Sequence, residues 1–236
     1  MNLEQLIAEY EPSVETIALI QSTTVVLLVG ISGAGKDTIK KQLLDKPDYH
    51  DIVSHTTRAP RANNGIAEIA DVDYHFINDA TATNMLNEQA FIEAKFVHGT
   101  VYGTSAQEVK IAHVEGKIAI TDVDVQGVEE YKAISPVVVA IFILPPSYTA
   151  WRERLHKRYA TTEEFEAEWP KRRASAIDEF TRALELPYYH FIVNDELNET
   201  VRIADEIAHK PDVFLRQDDE ARLVARDILE EIIQNT

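Results

Sequence analysis

Residues 25–44 read VVLLVGISGAGKDTIKKQLL, a stretch whose pattern gives strand, loop and helix in succession. Val25 to Val29 is an unbroken aliphatic run, suited to a strand buried on both faces of a parallel sheet. A loop follows with Gly30, Ser32, Gly33, Ala34 and Gly35, then Lys36, then helical spacing to Leu44. Gly30 to Lys36 fits the phosphate-cradling pattern G-x-x-x-x-G-K-[S/T], except that Asp37 stands where a hydroxyl is expected. Glycines let backbone N–H groups turn inward, and the helix N-terminus adds partial positive charge. Lys36 would reach the outer phosphates. A glycine-rich turn without a ligand is the plainer alternative, but strand, lysine and helix together favour the phosphate loop. A carboxylate is still a hard oxygen ligand, so Asp37 is a candidate Mg²⁺ ligand. Thr38 offers a hydroxyl one residue on, facing another direction.

Similar apolar runs recur at Ile118 to Ile120, Val137 to Leu144 and Phe191 to Val193. Helical stretches separate them at Thr38 to Leu44, Ala106 to Glu115, Pro146 to Arg158 and Glu196 to His209. Strand alternating with helix predicts an α/β fold with a parallel sheet flanked by helices. Two segments break the rhythm. Residues 54–105 hold short alternating pieces, VDYHFIN and FIEAKFVHGTVYGTS, with Gly99-Thr100 placed to close a hairpin. They predict a small β-rich insert. Residues 154–173 are dense in charge and poor in large aliphatics, which predicts a mobile flap. Residues 1–22 predict one or two added helices, carrying Leu3, Leu6, Ile7, Tyr10, Val14, Ile17, Leu19 and Ile20 at helical spacing. Residues 211–236 predict an amphipathic helical tail with Leu223, Val224, Ile228, Leu229 and Ile232 on one face.

The chain has 236 residues, no cysteine and a net charge of −17. Thiolate zinc sites and disulfides are excluded. The acidity argues against nucleic-acid polymers and anionic membranes as partners. No apolar run approaches the roughly 18 residues of a membrane span, and the start, MNLEQLIAEYEP, is unlike a signal peptide. A cytoplasmic protein is expected, and an anionic small substrate would need a local basic pocket.

Basic groups do cluster. SHTTRAPR brings Arg58 and Arg61 together, and guanidinium forks bind phosphate bidentately. Arg154, Arg158, Arg172 and Arg173 gather around the flap, the first two at i, i+4 on one helix face. In GKIAITDVDVQG a strand runs into Asp122 and Asp124, two apart and so on one face of an extended chain. Carboxylates at the C-terminal end of such a strand sit where open α/β sheets bind ligands. Asp122 would order a metal shell through water, as in phosphoryl transfer.

SHTTRAPR, DVDYHF, FIEAKFVHGTVYGTS, TDVDVQG, FILPPS and IVND occur in one order, and in that order the chain resembles the guanylate kinases over roughly residues 24–208. The resemblance implies a P-loop kinase core within residues 23–210, a GMP-binding lobe at about 54–105 and an arginine-bearing lid at about 154–173. It implies phosphorylation of GMP to GDP with ATP and Mg²⁺. Carried over residue by residue, Arg58, Arg61, Tyr74 and Tyr102 match ligands of the GMP phosphate. Ser54, Glu93, Thr104 and Asp124 match positions that read guanine. Lys36 and the lid arginines Arg154, Arg158 and Arg172 would neutralise the transferring phosphoryl. Asn194 and Asp195 of IVND match the adenine side.

Four features depart from the family pattern: Asp37, the long stretch ANNGIAEIA after Arg61, Arg158-Tyr159 with a lengthened lid segment, and the added terminal helices. Two other readings follow from such departures. One is a sister kinase acting on another phosphorylated acceptor, such as ribose 1,5-bisphosphate; Glu93, Thr104 and Asp124 argue for guanine instead. The other is a non-catalytic guanylate-kinase-like protein-binding module, against which the intact Lys36 loop argues. Either a monomer or a homodimer is compatible with the added helices.

Overall fold

The computed structural model describes residues 2–63, 66–97, 99–211 and 217–235. Two short helices, α1 (Leu3–Ala8) and α2 (Val14–Ser22), precede β1 (Val25–Val29), α3 (Lys36–Leu44) and β2 (Tyr49–Asp51). Short strands β3 (His55–Thr56), β4 (Ala62–Asn63), β5 (Ile66–Ala67) and β6 (His75–Phe76) follow. Next come α4 (Asp79–Asn87), the hairpin β7 (Phe91–Val97) and β8 (Thr100–Ser105), then α5 (Ala106–Glu115) and β9 (Ile118–Asp122). The chain continues through α6 (Val125–Ile134), β10 (Val139–Leu144), α7 (Tyr148–His156) and α8 (Thr162–Glu185). It closes with β11 (Tyr189–Val193), α9 (Leu197–His209) and α10 (Gln217–Gln234). Five strands make one sheet in the order β11-β10-β1-β9-β2. The pairs β1–β10, β10–β11 and β2–β9 are parallel, as the buried apolar runs predict.

The chain forms two compact units. The first holds residues 1–25, 47–121 and 130–138. Its own four-stranded sheet runs β6-β3-β8-β7, with β7 and β8 antiparallel and a bulge between Phe91 and Glu93. The hairpin turn falls between Val97 and Thr100, close to the predicted Gly99-Thr100. Helices α1 and α2 lie against β7, α1 also against α4 and α2 against α5. Within these helices Ile20 is buried, while Val14 is 77% exposed.

The second unit holds residues 26–46, 122–129 and 139–236. Its core is aromatic at the sheet, where Phe142 meets Phe191 at 5.1 Å and Phe180 at 5.5 Å between ring centroids. Helix α10 packs on α8 and β11 through Ala221, Ala225, Ile228 and Ile232. Leu223, assigned to the apolar face from spacing, is 56% exposed; the small alanines are the residues that allow close helix approach.

Several elements, α6 and α8 among them, are not marked as helix or strand by the sequence. Helix α4, DATATNMLN, has weak helix formers and starts on an Asn78 cap that accepts the Thr81 N–H at 2.8 Å. Strand β2 is only three residues long. Residues 154–173 are mainly helical, and α8 runs through Pro170. Their lack of aliphatics is made up by aromatics: Phe165 is buried, and Trp169 stacks near Trp151 at 5.2 Å.

Candidate active site

In the second unit the loop after β1 is built from backbone conformations that side chains oppose. Gly30, Gly33 and Gly35 have φ of 131°, 88° and 102°, in the left-handed region that favours glycine. At Gly30 a Cβ would also lie 2.1 Å from the Ile143 carbonyl oxygen, and at Gly35 one would lie 2.3 Å from Asn194 Nδ2. Gly35 is the residue immediately before α3, so the free N–H groups of that helix open into the loop. Lys36 Nζ donates to the Gly30 carbonyl, spanning the loop. Ala34 is buried, and its carbonyl accepts from Asn194 Nδ2 at 2.8 Å. Asn194, assigned to the adenine side, therefore braces the loop from behind, while Asp195 is exposed.

A cavity of about 300 Å³ opens in front of the loop, lined by Gly30, Ser32, Gly33, Gly35, Lys36, Asp37, Asp122, Val123, Asp124, Arg158, Arg172, Ser175 and Glu179. The predicted loop, aspartates and two of the flap arginines thus meet at one place. Arg158 donates to Ser32 Oγ at 3.0 Å and approaches Asp37 Oδ2 at 3.3 Å. Arg172 donates to the Tyr159 hydroxyl at 3.1 Å. Arg154 is turned to the Asn194 carbonyl at 3.0 Å and is not among the lining residues. Arg173 departs from the predicted basic group: it donates to the Ile232 carbonyl at 2.8 Å and fastens α10. Thr38 is exposed and outside the lining. Asp122 pairs with Lys40 at 3.1 Å, and Asp124 Oδ1 accepts the Gly127 N–H at 2.7 Å. Asp37, Asp122 and Asp124 give the cavity a hard-oxygen donor set. Carboxylates of this kind are the donors that Mg²⁺ takes, one or two at a time, with water and phosphate completing its shell.

In the first unit the basic and aromatic residues of the insert converge. Arg58 is buried. Its Nε donates to the Tyr102 hydroxyl at 3.0 Å, and its guanidinium lies 5.3 Å from the Tyr74 ring centroid. The two tyrosine rings meet edge to face at 6.0 Å. The fork of Arg58 grips Glu68 at 2.8 and 2.9 Å, and the Arg61 N–H donates to the same carboxylate at 2.7 Å. These hydrogen bonds, that of Arg58 first, hold the Glu68 carboxyl down at about 2. The Arg61 side chain is exposed. On β7 and β8, Thr104 Oγ1 donates to Glu93 Oε1 at 2.8 Å. Burial pushes the Glu93 carboxyl up to about 7, opposed in part by the Thr104 hydrogen bond, with Glu130 raising it and Lys95 lowering it. Ser54 accepts the His75 N–H with its carbonyl at 2.9 Å. Asp124, grouped with these residues from the motif, belongs to the second unit.

Three residues escaped the reading of the sequence. Glu68 lies in the long stretch after Arg61, of which Asn64 and Gly65 are outside the described residues. Glu179 lines the loop cavity, and burial raises its carboxyl. Its signal was available, since Arg172, Ser175 and Glu179 follow the 3–4 spacing of one helix face. Tyr131 is fully buried and, behind burial itself, the Glu93 charge helps hold its hydroxyl protonated; nothing in VEEYKAI distinguishes it from a core aromatic.

Comparison with known proteins agrees with this geometry. The family model described as guanylate kinase matches residues 21–210. A guanylate kinase of Methylobacillus flagellatus is 35% identical over 176 residues, spanning 74% of this chain and 83% of its own length. One from Syntrophotalea carbinolica is 39% identical over 173 residues, 72% of this chain and 77% of its own. The crystal structure of guanylate kinase from Anaplasma phagocytophilum matches with a TM-score of 0.58 at 25% identity, covering 86% of this chain and 96% of that one. Fold, loop and matched span lead to one conclusion: the chain belongs to the guanylate kinase family.

Proposed function

We propose that the chain transfers the γ-phosphoryl group of ATP to GMP, and also to dGMP. The observation that carries this reading is the intact phosphate loop, with Lys36 behind three glycines in the left-handed region. A protein-binding module has no use for a loop that calls for glycine at three positions. Residues 23–210 would form the kinase domain, with residues 1–22 and 211–236 as extensions.

The residues divide by task. The loop N–H groups from Gly30 to Thr38, with Ser32, Ala34 and Lys36, would hold the ATP phosphates, and Asn194 would keep the loop in shape. Arg158 and Arg172, already in the loop cavity, would offset charge spreading over the γ-phosphoryl, with Arg154 behind them. Mg²⁺ would neutralise and orient the phosphate oxygens. Asp122 would hold it through water and Asp37 directly. Arg58, Arg61, Tyr74 and Tyr102 would bind the GMP phosphate. Glu93 would accept from the guanine ring N–H and exocyclic amine, with Ser54, Thr104 and Asp124 completing the base site. Adenine would leave that carboxylate facing an acceptor, and such buried mismatches are costly. No general base is needed, because a phosphate dianion is itself a nucleophile. The basic pockets serve an anionic small substrate; no helix of the described residues is long and apolar enough to cross a membrane. We place the reaction in the cytoplasm.

The test is ADP formation with Mg²⁺-ATP against GMP, dGMP, AMP, UMP and ribose 1,5-bisphosphate, with Lys36→Ala as the control. Turnover with GMP that the control lacks is expected. Turnover with only the bisphosphate would transfer the reading to a sister kinase, and silence on every acceptor from folded protein would overturn it.

A further inference from the structure

Besides packing against β7, the N-terminal helices bind the backbone of that strand through the hydroxyl of Tyr10. Tyr10 lies between α1 and α2, ahead of residue 21, where the family match begins. Its hydroxyl donates to the Phe91 carbonyl at 2.5 Å and accepts the Phe91 N–H at 2.9 Å. Both backbone groups of one residue are thus satisfied by one side chain 81 residues away. Phe91 is the first residue of β7, the edge strand of its sheet, where such groups have no neighbouring strand to bind. It is also where the strand bulges: Phe91 pairs with Ser105, the register then shifts, and Glu93 pairs with Thr104. A bulge re-aims the side chains that follow it. The side chain that follows here is Glu93.

Two further contacts tie this joint to the acceptor residues. The Phe91 ring meets Tyr10 edge to face at 6.4 Å. It also lies 2.9 Å from the position a Cβ of Gly103 would take, and Gly103 sits between Tyr102 and Thr104. The linker itself is pinned, because Gln89 Nε2 donates to the Glu11 carbonyl at 3.0 Å. Burial, with Glu93 nearby, pushes the Tyr10 hydroxyl up to about 12, so it stays a donor at any working pH.

We propose that Tyr10 is a positioning residue for base discrimination, holding the Phe91 bulge so that Glu93 and Thr104 face the guanine edge. The N-terminal extension is then part of the specificity apparatus of the enzyme. This inference rests on the guanylate reading of the acceptor site.

Tyr10→Phe in the full chain removes the hydroxyl and keeps the ring. Losing a paired backbone contact of this kind is expected to raise KM for GMP about three- to tenfold, to weaken GMP binding by calorimetry equally, and to lower the preference for GMP over IMP, which lacks the exocyclic amine. The kcat with GMP and KM for ATP are expected to stay at wild-type values. Unchanged KM for GMP and unchanged GMP-to-IMP preference would overturn the proposal, whatever happens to the melting temperature. If Tyr10→Phe fails to fold, Gln89→Ala loosens the same linker and is read by the same split; an unchanged preference there also overturns it. Wild type measured alongside separates the two readings, since absence of GMP turnover in wild type removes the kinase reading and this inference with it.

Discussion

Replacing Glu93 by glutamine tests the base site and its electrostatics together. Burial lifts this carboxyl from 4.5 to about 7, which corresponds to roughly 3 kcal/mol against ionisation in the free protein. Guanine presents two N–H donors, so it needs the ionised form, and binding must draw a proton off. Affinity for GMP is therefore expected to fall about tenfold per pH unit below 7. The GMP phosphate itself titrates near pH 6, at about the value of other phosphate monoesters, so the Gln variant serves as the reference that keeps the phosphate effect alone. Glu93→Gln is expected to raise KM for GMP at pH 8 by about a hundredfold or more and to erase most discrimination against IMP. Stability gives an independent reading. The folded state binds the Glu93 proton more tightly than the unfolded state, so its contribution is present below about 4.5 and is lost as pH rises to about 7. The Gln variant escapes that loss, and its melting temperature relative to wild type is expected to rise between pH 5 and pH 8, by about 2–4 °C for each kcal/mol. The assays are steady-state kinetics with GMP and IMP from pH 6 to 8 and thermal melts of the free protein. Equal pH slopes in wild type and variant, with base preference intact, would refute the assignment of Glu93.

Further outcomes follow from other contacts. Lys36→Ala is expected to lower kcat at least about a hundredfold, as loss of a charge-stabilising group does, with GMP binding by calorimetry unchanged. Asp37→Ser removes both the candidate metal ligand and the partner of Arg158, and the Mg²⁺ concentration giving half-maximal rate is expected to shift; an unchanged Mg²⁺ profile would eliminate the metal role. Glu68 is held at about 2 by Arg58 and Arg61, so the stability it provides is complete above about 4.5 and lost as pH falls towards 2. Glu68→Gln should therefore flatten the acid limb of a melting curve taken between pH 5 and 2.5, and a parallel curve would contradict the ion pair. Gly30→Ala places a Cβ against the Ile143 carbonyl at 2.1 Å and is expected to destabilise the loop by at least about 1–3 kcal/mol, the usual cost of local backbone strain, read by chemical denaturation.

Features that depend on neighbours in the chain were legible in the amino-acid sequence. The parallel sheet was legible because Val25 to Val29 and Val137 to Leu144 are continuous apolar runs, which only a doubly covered strand tolerates. The phosphate loop was legible because its glycines and Lys36 work within seven residues. Arg58 with Arg61 and the FIEA strand were legible as motifs for the same reason of short spacing. Pairings between distant residues emerged only in the folded chain. Folding gave Asn194 to the loop it braces, Arg173 to α10 rather than to the basic group, and Glu68 to the fork of Arg58. It put Glu179 beside Lys36 and carried Tyr10 across 81 residues to Phe91. Periodicity states which face of an element is buried, but it carries no information about which distant partner fills that face. Packing and hydrogen-bond satisfaction choose that partner, and they act only once the chain has folded.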